Sequence, residues 1–128
     1  MLKKIIVALA ASCAVISAQN AMAVWEYAHR AFSGKYVIYG GFLGESIAPS
    51  AGDIKVAFDL TGNPAKEMFD GIGPDLKGGC NTPGLRVRQR DMLVCRYRPK
   101  DGYWCNFGFD LSTGLSIGGS IGGTVCKD

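Results

Sequence analysis

Hydrophobic and polar positions alternate most cleanly between Asp53 and Leu60. Ile54, Val56, Phe58 and Leu60 are separated by Lys55, Ala57 and Asp59, the two-residue period of a strand with one buried face. Beyond Thr61-Gly62 the period changes. Ala65, Met68, Phe69 and Ile72 fall at i, i+3, i+4 and i+7, the apolar stripe of a helix over Pro64–Ile72. Asn63 is its expected N-cap, and Pro64 takes the first helical position, where a missing N–H costs little. Gly71, Gly73 and Pro74 stop it. Two turns of helix are too short to stand alone, so this one is expected to pack on a sheet.

Three more strands are expected in Leu85–Asp110, LRVRQRDMLVCRYRPKDGYWCNFGFD. With Gln89 and Leu93 closing the first turn, Val87 faces Cys95 and Leu85 faces Tyr97. Arg88 then opposes Val94, and Arg86 opposes Arg96. This register puts every apolar side chain except Val94 on one face. Pro99-Lys100-Asp101-Gly102 is a strong turn signal, and it pairs Tyr97 with Tyr103 and Cys95 with Cys105. Lys35–Tyr39 (KYVIY) reads as a further strand, Ile47–Gly52 as a loop, and Val24–Gly34 as a weak helix or an irregular arm on the core. The tandem SIGG at 116–119 and 120–123 reads as a glycine-bearing terminal strand or coil crossing close to its neighbours. The expected fold is α+β: a small antiparallel sheet of about five strands, with one short helix on its apolar face, stapled by disulfides.

The N-terminus changes the compartment. Lys3-Lys4, an apolar run from Ile5 to Ile16, and Ala21-Met22-Ala23 form the pattern of a cleaved bacterial export signal over residues 1–23. The run is shorter than the roughly 20 apolar residues that span a bilayer. Lipidation at Cys13 is a weaker alternative, because the leucine expected three residues upstream is missing. A cut after Ala23 leaves one domain, 24–128, of 105 residues. It carries twelve basic and eleven acidic residues, so net charge points to no partner. Periplasm or extracellular medium is the expected location.

Four cysteines then remain, Cys80, Cys95, Cys105 and Cys126. An even count in a small exported chain reads as two disulfides. No close C-x₂₋₄-C pair suggests zinc, and the single histidine, His29, is remote in sequence; no metal or other cofactor is expected. Cys95–Cys105 with Cys80–Cys126 is the favoured pairing, and Cys80–Cys95 with Cys105–Cys126 its rival.

Six of the twelve basic residues fall within Arg86–Lys100. In the register above, Arg86, Arg88, Arg96 and Arg98 point outward, with Trp104 beside Arg96 and Lys100 at the turn. Arginine with exposed tryptophan is the composition of binding hot spots, set against the plainer reading of a solvated sheet face. Nucleic acid is excluded as the target by the expected export. Another protein or an anionic envelope polymer fits better. Catalysis has no supporting constellation, because the carboxylates show no paired spacing. The function expected is therefore an exported binding protein, of an inhibitor or immunity type, docking through Arg86, Arg88, Arg96, Arg98, Lys100 and Trp104. A structural component of an envelope assembly is the alternative, and a small hydrolase a distant third.

Overall fold

The fold is taken from a computed structural model, which describes residues 27–77 and 82–119. Internal contacts divide the chain after Arg30. In the first unit, Tyr27 and His29 set their rings edge to face at 5.5 Å. Residues 27–33 have no regular secondary structure, so no helix forms in the described part of the expected arm.

The second unit holds every described strand and helix. Their order is β1 (Gly34–Phe42), β2 (Glu45–Ile47), β3 (Lys55–Thr61), α1 (Gly62–Gly71), β4 (Arg86–Arg90), β5 (Leu93–Arg98), β6 (Gly102–Asp110) and β7 (Ser116–Ile117). They make one seven-stranded sheet in the order β2-β1-β3-β6-β5-β4, with β7 added to the far end of β6. Every strand pair is antiparallel. The expectation of about five strands was short by β2 and β7. Each has only two or three residues, too few to display a period.

β3 runs straight into α1 through Gly62, whose φ of +72° lies in the left-handed region that a residue without Cβ enters freely. The helix consequently begins earlier than expected. Thr61 is its N-cap, with no side-chain capping bond, and Asn63 lies inside the first turn. At the other end the Ile72 N–H reaches the Met68 carbonyl at 3.1 Å. Ala65 and Phe69 are fully buried and form one cluster with Cys95 and Cys105, joined by Met68, Ile72, Leu93, Tyr97 and Tyr103. Phe69 meets the Tyr103 ring edge-on at 5.3 Å.

The second hairpin has the expected register: Tyr97 opposes Tyr103, and Cys95 opposes Cys105. The two cysteines are joined as a disulfide, with Cα atoms 4.0 Å apart. Cys80 and Cys126 lie outside the described residues. The first hairpin is displaced by one residue. Arg90 pairs with Leu93, Arg88 with Cys95 and Arg86 with Tyr97. The turn is therefore two residues long, with Asp91 at φ +49°, a conformation that a short polar side chain tolerates. Because side chains alternate, that single step turns every residue of β4 onto the opposite face.

Two glycines mark tight approaches. A Cβ on Gly108 would strike the Val56 carbonyl of β3, and one on Gly119 would strike the Phe107 backbone. The described end of the terminal segment thus crosses close to its neighbour, as its composition suggests.

Candidate functional site

The displaced hairpin decides where the arginines go. Arg86, Arg88 and Arg90 share a face with Cys95 and Tyr97 instead of pointing away from them, which corrects the expected outward placement of Arg86 and Arg88. Arg88 donates through Nε to Asp75 at 2.7 Å and through Nη1 to the Phe69 carbonyl at 2.8 Å. Its guanidinium lies 4.2 Å from the centre of the Phe69 ring. Arg86 grips the same carboxylate with Nε at 2.7 Å and Nη2 at 3.2 Å, and Arg90 reaches the Gly73 carbonyl at 3.1 Å. Cations gathered at the carbonyl end of a helix also meet the favourable pole of its dipole. Together the three fasten the end of α1 and the following loop to β4. The two guanidiniums beside Asp75, Arg86 first, hold its carboxyl down at about 2, against an ordinary 3.8.

The other expected binding residues sit apart from these. Arg96 is directly opposite Trp104 on the reverse face, but its residue is only 8% exposed. Its Nη1 donates to Asn106 Oδ1 at 3.0 Å, and Asn106 in turn donates to Asp59 at 3.3 Å. Burial pushes the Arg96 guanidinium below its ordinary value. Arg98 is paired with Asp101 across the turn, Lys100 is exposed in that turn, and Trp104 is half-buried. The six residues are thus distributed over two faces and a turn, and four of them, Arg86, Arg88, Arg96 and Arg98, are engaged by internal partners.

What the sheet does leave open is apolar. On the face that carries the disulfide, Tyr36, Phe58 and Phe107 stand directly opposite one another across β1, β3 and β6, and Ile38, Val56 and Phe109 form the next row. Phe58 stacks on Phe107 at 5.1 Å, Tyr36 approaches Phe58 at 6.4 Å, and Phe109 meets Phe107 edge-on at 6.2 Å. One step along the strands, Leu60 and Cys105 form the row next to α1. The two outer rows extend away from the helix. Tyr36 is 71% exposed, and Ile38 and Phe109 are each 39% exposed.

The alternation over Asp53–Leu60 puts Phe58 on the buried side, and the same alternation along β6 carries that face on from Cys105 to Phe107 and Phe109. The helix is only ten residues long, however, about 15 Å at 1.5 Å per residue. Nine-residue strands such as β1 and β6 reach about 30 Å. The mismatch in length is the signal that was available.

Among the described residues no group of histidine, cysteine and carboxylate side chains is arranged to hold a metal, and no helix is long and apolar enough to cross a membrane. Comparison with protein families, curated proteins and solved structures finds no match to this chain.

Proposed function

We propose that this is an exported binding protein, without catalytic activity, that docks on another protein through the apolar half of its sheet that the described helix leaves uncovered. The observation that carries the reading is the pair of cross-strand rows, Tyr36–Phe58–Phe107 and Ile38–Val56–Phe109. Within these rows Tyr36, Ile38 and Phe109 are exposed, Phe58 and Phe107 are half-buried and Val56 is buried. Apolar surface left partly open to water in this way is characteristic of interaction sites, and aromatic residues are enriched in interface cores. The basic start, apolar run and Ala21-Met22-Ala23 support export, as does a disulfide in so small a domain.

The arginines have a smaller part in this reading than their clustering suggests. Arg86 and Arg88 are held by Asp75, so they serve the fold, and Arg98 and Lys100 lie at the turn before β6, at the other end of that strand from Phe107 and Phe109.

The test compares the wild-type chain with a Tyr36→Ser/Phe109→Ser double variant as bait in envelope extract, followed by binding of the purified captured protein. Both positions are exposed, so the variant should melt within a few degrees of wild type. Loss of a saturable complex in the variant supports the reading. A complex of unchanged affinity removes it. The alternative, a component of an envelope assembly, is favoured by one separate observation, the edge of β1 over Gly34–Tyr39 that no described strand pairs.

A further inference from the structure

The two outer strands of the main sheet are treated differently. β4 carries Arg86, Arg88 and Arg90, and its outer side is already engaged, because the Leu76 N–H donates to the Val87 carbonyl at 2.8 Å. Charge and a covering segment are the usual protections of a sheet edge. Over Gly34–Tyr39, β1 has a single charge, Lys35, and no covering strand among the described residues. β2 pairs only with Gly40–Phe42, and β3 occupies the other side of Gly34–Tyr39. Among the described residues nothing pairs the free side of that six-residue segment, GKYVIY. Gly34 to Ile38 are all exposed, Val37 at 45%. A half-apolar strand with an open edge is a template for another strand.

We infer that the strand added there is β1 of a second copy, paired antiparallel about a two-fold axis at Val37. Lys35–Tyr39 is self-complementary in that register, and the ladder ends there because Gly40 is already paired with Ile47 of β2. Tyr36 opposes Ile38 of the other copy, Lys35 opposes Tyr39, and Val37 meets itself. Lys35 is the only charge in the segment, and it meets no like charge. Opposed residues keep the same face, as an antiparallel ladder requires. The apolar rows of one copy therefore run on into those of the other, from Phe107 and Phe109 through β3 and β1 to their symmetry mates. This isologous arrangement closes at two copies, since β1 has no second free side.

The inference deepens the docking reading by doubling the apolar face that would receive a partner. It is scored by self-association alone and so fails separately. The full chain, expressed with its own N-terminal segment, is measured by sedimentation across a wide concentration range. A monomer–dimer equilibrium is expected. Val37→Lys places two ammonium groups at the axis and should weaken the dimer about tenfold. Val37→Glu alone should weaken it likewise, and an equimolar mixture of the two variants should recover a heterodimer. Arg90→Glu on the opposite edge should leave the equilibrium unchanged. As a second readout, Val37→Cys should cross-link to itself under mild oxidation, because cross-strand neighbours lie within disulfide reach. A chain that stays monomeric throughout, or a dimer indifferent to Val37→Lys and to mixing, overturns the inference. So does a Val37→Cys chain that dimerises without forming the cross-link.

Discussion

Replacing Asp75 with asparagine removes the negative charge that Arg86 and Arg88 share while keeping the side chain's size. In the folded chain the Asp75 carboxyl titrates at about 2, against an ordinary 3.8. A depressed carboxylate value means the folded state prefers the ionised form. Its contribution is complete above about pH 4 and is lost as pH falls toward 2. The difference in pKa sets a ceiling of about 2 kcal/mol. The Asp75 side chain is 37% exposed, so solvent screening reduces the figure to about 1 kcal/mol. For a domain of this size that is a fall in melting temperature of about 4–8 °C at neutral pH. The assay is thermal unfolding of wild type and Asp75→Asn from pH 7 down to pH 2. Wild type should lose its margin over the variant between pH 4 and 2, and the two curves should converge at the acid end. An Asp75→Asn chain as stable as wild type at pH 7, or a margin that persists unchanged at pH 2, would refute the assignment of these arginines to the fold.

Other perturbations separate the remaining contributions. Cys95→Ala/Cys105→Ala opens a link across a sequence separation of 10 and should cost about 3 kcal/mol by the loop-entropy relation, read by urea denaturation against the oxidised wild type. Phe69→Ala empties the centre of the core cluster and also takes away the ring beneath Arg88. A loss above about 3 kcal/mol is expected, and denaturant midpoints check it. Gly119→Ala should destabilise by about 1–3 kcal/mol, because its Cβ meets Phe107 backbone atoms rather than a side chain that can move aside. A variant as stable as wild type would show that the terminal segment does not press on the sheet.

How much of this was legible in the sequence depended on how tightly local chemistry constrains the chain. The second hairpin was readable because Pro99-Lys100-Asp101-Gly102 leaves little freedom, with Gly102 at φ +75°. The first was not. Burial of Val87 and Leu85 argued for one register, and Asp91 in the left-handed region allowed the other. The decisive partners, Asp75 and the Phe69 carbonyl, lie 11 to 19 residues away in sequence, where no local pattern points to them. β4 consequently turned its arginines toward the helix end and moved Val87 to the reverse face, where it is buried.

The helix itself was anticipated from its apolar stripe, but Gly62 advanced its start beyond what the capping preference of Asn63 implied. The apolar rows were visible as alternation in β3 and β6. Their exposure was not, because alternation distinguishes the two faces of a strand without saying how far a neighbouring helix extends over one of them.

The central claim is that the chain binds through its apolar sheet surface and uses its arginines to hold itself together. The most direct test is a side-by-side affinity measurement on the captured partner with two variants, Tyr36→Ser/Phe109→Ser and Arg98→Glu/Lys100→Glu. The first should lose the complex, and the second should keep it within a few-fold of wild type. A complex abolished by reversing the two basic residues and indifferent to loss of Tyr36 and Phe109 would contradict the account.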